Sequence, residues 1–291
     1  DAYDTSDHHF HKKIHEGEPS DGALCVKCHM PEQPYMVIDE RADHSLRVPR
    51  PDLSREIGTP NACGVEGCHA DKSLDWHVAE YQAWYGRRRK PHYGTILAAG
   101  RVLEPEARTG LIRLAGDQLY PAIVRATALS LLGGYPPGGD TAALFDLVLA
   151  DDEPIVRRTA VEVVNTTSPE DTVEKLVPLL FDPVRAVRTM AASRLAGTPD
   201  EMLQPYQRER LAAVIEEHVA GMNYSLDFAF AGHNLGNLYA QLGDPDRAIE
   251  FYEQSLVMNE QVGDIHGMGY VYNQVADVLV SDFADLGVLV G

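Results

Sequence analysis

Cys25-Val26-Lys27-Cys28-His29 and, further on, Cys63-Gly64-Val65-Glu66-Gly67-Cys68-His69 are the stretches on which the reading of this chain turns. They contain all four cysteines of the 291 residues, and each pair ends in a Cys-His step. Cys-x-x-Cys-His is the attachment pattern for c-type haem. Two thiols add across the vinyl groups, and the adjacent histidine is set under the iron as an axial ligand. On this reading Cys25 and Cys28 hold one haem with His29 proximal. Cys63 and Cys68 hold a second, with His69 proximal. The second motif has four intervening residues instead of two, a wider variant whose Gly64 and Gly67 let the loop bulge.

The rival is a zinc clamp, because two close cysteine pairs at a distance also suit a four-thiolate site. The histidines argue against it. Nine of the twelve (His8, His9, His11, His15, His29, His44, His69, His77 and His92) fall in the first 92 residues. A four-thiolate zinc has no use for them, whereas each six-coordinate haem needs a second axial ligand. Met30 and Met36 are the non-histidine alternatives, and methionine would raise the potential relative to a bis-histidine haem. Met30 directly follows the proximal His29 and is badly placed for this. His77, beside Trp76, reads as packing or surface.

Outward from the motifs, residues 1–98 carry Pro31, Pro34, Pro49, Pro51 and Pro60 and little sustained periodicity. Loops wrapped around a prosthetic group are expected there. The spacing of Leu74, Val78, Tyr81 and Tyr85 predicts a helix from about Ser73 to Tyr85, capped by Asp71 or Ser73. The run Arg87-Arg88-Arg89-Lys90 reads as a solvated loop; its sharper alternative is neutralisation of haem propionates.

Residues 8–98 resemble the last haem-binding segment of multihaem c-type cytochromes that continue into HEAT and tetratricopeptide repeats. The matching pieces are His8-His9-Phe10-His11, Cys25–Pro31, Tyr35-Met36-Val37, Asp43-His44-Ser45, Arg47–Leu53, Gly58–Cys63 and His92-Tyr93-Gly94. The resemblance extends over the whole chain, repeats included. A smaller part is similar to the ammonia-forming cytochrome c nitrite reductases. There a haem motif is likewise followed by Met-Pro, and an Asp-His pair lies fifteen residues past the proximal histidine, here His44. That likeness implies His11 (or His9, or His15) as ligand to the haem on Cys63/Cys68, and His92 as ligand to the haem on Cys25/Cys28. His8 stays open as a further distal candidate. His44 is then left with no haem of this chain. It serves an upstream haem missing here or a haem of a neighbouring subunit, unless it binds locally and His92 does not.

Beyond residue 98 the pattern changes. Ile123-Val124-Arg125-Ala126-Thr127-Ala128, Ile155-Val156-Arg157-Arg158-Thr159-Ala160 and Ala186-Val187-Arg188-Thr189-Met190-Ala191 are copies of one phrase, with arginines 32 and 31 residues apart. Pro121, Pro154 and Pro183 precede the copies, as suits helix starts, and Asp152 and Asp182 are candidate caps. This is the spacing of HEAT-like two-helix repeats over 99–220, which bury their apolar stripes only by stacking. The arginines are expected to pair with carboxylates between repeats. Over 221–291, Leu235-Gly236-Asn237-Leu238-Tyr239, Leu242-Gly243-Asp244, Ala248, Tyr252 and Leu256 follow the tetratricopeptide pattern. A second copy opens at Val275-Ala276-Asp277-Val278-Leu279 but lacks a clear second helix over Ser281–Gly291. His218, His233 and His266 read as structural.

The expected fold is therefore mostly α: a loop-rich dihaem cytochrome c module followed by an α-solenoid. With 25 Lys+Arg against 44 Asp+Glu, net −19, nucleic acid is excluded as a partner. Cationic or metal-bearing partners are favoured. No stretch approaches the roughly 20 apolar residues of a membrane span. Asp1 does not open a signal peptide. Because haem attachment follows export, a mature exported chain or fragment, periplasmic or extracellular, is expected.

The leading expectation is an electron carrier, not an enzyme, with two covalent haem c groups and other cytochromes or redox proteins as partners. A neighbouring subunit would supply a haem to His44. The alternatives are a subunit of a nitrite- or hydroxylamine-type redox enzyme, which needs an open coordination position, and a haem-stabilised structural adaptor.

Overall fold

The computed structural model describes residues 3–35, 39–87 and 90–285. Met36, Arg88, Arg89 and residues 286–291 lie outside that set. The chain divides into two compact units, Asp1–Val102 and Leu103–Gly291. The division falls four residues beyond the expected 98/99 boundary, so that the helix Tyr93–Arg101 belongs to the first unit.

The first unit is built of short pieces. Helix α1 (Ser6–His9) ends at Phe10, which takes a left-handed φ of 56°. Strands β1 (Ile14–His15) and β2 (Glu18–Pro19) pair across Glu16-Gly17, both at positive φ, the requirement of a tight two-residue hairpin turn. Helix α2 (Cys25–His29) is a single turn. Strands β3 (Glu32–Tyr35) and β4 (Asp39–Ala42) pair antiparallel. Helix α3 (Pro51–Ile57) has proline at its start and Gly58 at φ +70° after its end, where L side chains are strained. Helix α4 (Leu74–Tyr85) is capped by the Ser73 hydroxyl, which accepts from the Trp76 amide. Helix α5 (Tyr93–Arg101) follows, its first turn capped by His92.

What these pieces bury is little. Among the described residues of this unit the buried apolar side chains are Pro51, Leu53, Val78, Tyr81 and Leu97. Five such side chains are too few to hold a domain of about a hundred residues, whose backbone ordering alone costs roughly 1–2 kcal/mol per residue. A domain so short of core needs a disulfide, a metal or a prosthetic group.

The second unit carries most of the core. Helices α6 (Ala107–Gly116), α7 (Ala122–Leu132), α8 (Gly139–Val148), α9 (Pro154–Val163), α10 (Pro169–Leu176) and α11 (Arg185–Leu195) form a helical repeat region. The three copies of the repeated phrase sit on α7, α9 and α11, which pack on one another in series. In each copy the valine and the alanine four residues on are buried (Val124 and Ala128, Val156 and Ala160, Val187 and Ala191).

The arginines bridge the repeats. Arg125 forms a bidentate pair with Asp151, Arg157 with Asp182 (2.7 and 3.1 Å), and Arg188 with Glu217 (2.7 and 2.5 Å). The expected cap at Asp152 sits one residue earlier. Asp151 accepts the Glu153 amide at 2.9 Å, while Asp182 accepts that of Val184 at 2.8 Å.

Helix α12 (Pro205–Asn223) runs through the expected 220/221 boundary. Helices α13 (Ala229–Gln241) and α14 (Pro245–Val262) make the tetratricopeptide hairpin, and α15 (Ile265–Asp285) packs on α14 with the second copy of the motif on it. Gly236 meets the Tyr252 ring; an added Cβ would lie 2.4 Å from it. Among the described residues no helix is long and apolar enough to cross a membrane.

Candidate haem site

In the first motif, α2 brings Cys25 and Cys28 onto one face of a helical turn, since residues three apart are neighbours there. The turn is held by its own backbone: the Lys27 amide donates to the Leu24 carbonyl and that of Met30 to Val26. The second motif opens with a 3-10 turn, Ala62–Gly64. It then loops through Gly67, whose φ is +82°, and closes with the His69 amide donating to the Cys63 carbonyl at 3.1 Å. Gly64 is needed for space and not for backbone freedom. A Cβ there would come within 3.2 Å of both Asn61 and His77.

Both motifs open on one cavity of about 960 Å³, lined by all four cysteines, by His29 and His69, and by His8, His9, His11 and His15. Across it the histidines face one another in pairs. His8 and His29 have ring centroids 6.2 Å apart and planes within 5° of parallel. His11 and His69 lie 6.0 Å apart at 34°. Metal–imidazole bonds are about 2 Å long, so two rings on opposite sides of one ion have centres about 6 Å apart. Each facing pair has that separation.

The ring hydrogen bonds suit the same role. The His29 Nδ1–H donates to the Arg47 carbonyl at 2.9 Å, and the His11 Nδ1–H donates to the His9 carbonyl. An imidazole anchored through Nδ1 presents Nε2 to a metal. His69 is held below its ordinary pKa, first by burial and then by the neighbouring His11 and His77, so its lone pair is available at neutral pH. Burial raises the Cys28 and Cys63 thiols; Cys68 and Cys25 add to it at Cys28, and Cys28 and Cys68 add to it at Cys63, which reaches about 11. Among the described residues no three His, Cys, Asp or Glu side chains converge as a metal cluster. The donor set is two facing imidazole pairs with a thiol pair beside each. It fits two flat, six-coordinate, thioether-bound groups, which would also furnish the apolar surface that the unit's own core lacks.

The other candidates are placed differently. His9 accepts the His11 amide on Nδ1 at 3.1 Å, so its proton is on Nε2, which is buried with no partner among the described residues. His15 lines the cavity from the exposed strand β1. His92 does not line it: its Nδ1 accepts the Gly94 amide at 3.0 Å and caps α5. His44 is exposed and outside the cavity, with its Nδ1–H donating to the Ala42 carbonyl at 2.8 Å. His77 is packed inside, as expected, with both ring nitrogens occupied by Asn61 and the His69 carbonyl.

The aromatic wall was not singled out above. Tyr81, Trp84 and Tyr85 line the cavity from α4, at the i, i+3, i+4 spacing that puts them on one face. Phe10 stacks on Trp84 at 5.2 Å and 6°, and Trp84 meets His11 edge to face at 5.5 Å. The left-handed turn at Phe10 and this stack set the position of His11.

Comparison with known proteins places the C-terminal part. Residues 233–261 match the tetratricopeptide repeat family. That segment is α13 without its first four residues, the turn at Gly243 and nearly all of α14. No curated protein and no solved structure matches the chain.

Proposed function

We propose that the chain is an electron-transfer protein carrying two covalent c-type haems, one on Cys25 and Cys28, the other on Cys63 and Cys68. His29 and His69 are the proximal ligands, with His8 and His11 as their distal partners. The observation that carries this reading is the pair of facing imidazole couples at 6.2 and 6.0 Å across one cavity that all four cysteines line. His8 replaces His92 in this assignment because His8 faces His29 whereas His92 caps a helix.

A bound haem supplies reversible one-electron chemistry, its potential set by axial ligands, hydrogen bonds and burial. The chain's own residues anchor the imidazoles, wall the cavity with Tyr81, Trp84 and Tyr85, and join both motifs through one space. With an imidazole on each side of each metal position, no coordination site is left for nitrite or hydroxylamine, which favours the carrier over the enzyme reading. The helical repeats serve as scaffold and as a contact surface for other redox proteins, the common use of such modules. His44, exposed with Nε2 free of the Nδ1 anchor, is assigned to a haem outside the described unit. Attachment of haem places the protein in an exported compartment.

Intact mass of the matured chain tests the assignment: two haem adducts, one on each cysteine-bearing peptide, are expected. A reduced chain that binds carbon monoxide stoichiometrically without displacing a ligand would overturn the bis-histidine carrier.

A further inference from the structure

We infer that Asn61 and His77 are positioning residues for the second attachment motif, fixing from outside a loop that the first motif fixes by its own helical turn. This rests on the reading that Cys63, Cys68 and His69 hold a haem. The widened spacer is the cause. With four residues between the cysteines the stretch cannot be one continuous turn. The 3-10 helix stops at Gly64, and the chain swings out through Gly67 before returning to Cys68. A loop of that kind has one backbone bond across its ends, from the His69 amide to the Cys63 carbonyl at 3.1 Å, and needs a further tie to hold them against the rest of the unit.

One chain of hydrogen bonds does so. The Cys63 amide donates to Asn61 Oδ1 at 3.2 Å. Asn61 Nδ2 donates to His77 Nδ1 at 2.8 Å, and His77 Nε2–H donates to the His69 carbonyl at 3.0 Å. The first bond sets the Asn61 amide with its NH2 toward His77, and the two bonds to the ring both require its Nε2–H tautomer, so the three are mutually consistent. His77 is only 4 % exposed and rides on the first turn of α4, whose cap Ser73 fixes the start of the helix. Its ring has no rotational freedom to spare, and Gly64 is the residue that leaves room for it. The clamp therefore transfers the rigidity of α4 to the backbone that aims His69 at His11. The first motif is one continuous helical turn from Cys25 to His29, closed by the Met30–Val26 backbone bond at 2.8 Å, so its cysteines and histidine are already held in one element.

The test uses the full chain matured with haem, comparing the wild type with His77→Phe, Asn61→Ala and His77→Gln. In His77→Phe the Cys63–Cys68 peptide is expected to lose its haem, or to keep it with a high-spin ferric band. The Cys25–Cys28 peptide should stay loaded and low-spin. Asn61→Ala, which leaves the buried ring in place, should shift the spectrum and potential of the second haem alone. His77→Gln, whose amide can still donate to the His69 carbonyl, should restore a low-spin second haem. The inference is overturned if His77→Phe and Asn61→Ala both keep two low-spin haems with unchanged potentials. It is also overturned if Asn61→Ala disturbs both haems equally. A wild-type chain with no haem adduct overturns the dihaem reading itself, a result distinct from either.

Discussion

His8 and His29 face each other across the cavity with their rings 6.2 Å apart and 5° from parallel. The two residues are 21 positions apart in the chain and belong to different one-turn helices, α1 and α2. Under the proposed dihaem assignment, removing one ring leaves one haem iron five-coordinate. His8→Ala is therefore expected to give a chain that, once reduced, binds one carbon monoxide per two haems. His92→Ala should bind none. If the two variants behave the other way round in a carbon monoxide titration, the distal assignment is wrong.

His44 sits exposed outside the cavity, its Nδ1–H tied to the Ala42 carbonyl. An imidazole so anchored and so exposed is set up to bind a metal that approaches from outside. His44→Ala should leave both haems of the isolated monomer low-spin while weakening self-assembly or docking to another cytochrome. Analytical ultracentrifugation beside the optical spectrum reads both quantities. A monomer that loses a low-spin haem on this substitution would show that His44 acts within its own unit.

That both cysteine pairs and the histidines following them share one cavity was legible, because each Cys-His motif keeps its members within a few neighbouring residues. Their facing partners were not. Which of His8, His9, His11 and His15 pairs with His29 or His69 depends on the left-handed turn at Phe10 and its stack on Trp84, 74 residues away in the chain. The repeats were legible for the opposite reason: the phrase around Arg125, Arg157 and Arg188 recurs, and recurrence survives any uncertainty about a single copy. Even so, the cap fell on Asp151 and not Asp152, since both positions suit a carboxylate and only the Arg125 guanidinium chooses between them. The clamp on His77 could not be read because its partner Asn61 lies sixteen residues back, beyond any helical or strand period.

Gly236 packs against the Tyr252 ring, which is only 1 % exposed and hydrogen-bonded to Asn237 at 2.7 Å. Alanine would gain roughly 0.5–1 kcal/mol of helix propensity. Overpacking a filled core costs about 1–3 kcal/mol, and a methyl at 2.4 Å from a ring that cannot rotate away falls at the upper end. Gly236→Ala is thus expected to destabilise the tetratricopeptide hairpin by about 2 kcal/mol net. Urea denaturation followed by far-UV circular dichroism measures this, and an unchanged or raised midpoint would refute it.

Arg125 and Asp151 form the most buried ion pair of the ladder, with side chains 5 % and 2 % exposed. Removing one member of such a pair strands the other charge in the core and costs about 3–5 kcal/mol, whereas replacing both by apolar groups is often neutral. Arg125→Met should accordingly be far more damaging than Arg125→Met with Asp151→Leu. The same pair sets a pH dependence. Burial by itself pushes the Asp151 carboxyl up, but hydrogen bonds from Arg125 and the Glu153 amide outweigh it and hold the group below its ordinary value. Asp182 is held down in the same way by Arg157 and the Val184 amide. A carboxyl depressed in the folded state binds its proton more readily when unfolded. Its contribution is therefore complete above the ordinary carboxylate range and is lost as pH falls through the folded value. Stability of the wild type should drop between neutral pH and about pH 3. The drop should be shallower in the Arg125→Met, Asp151→Leu double variant, because one of the two depressed carboxyls has gone. Equal slopes in urea midpoints against pH would show that the ladder does not govern the acid limb.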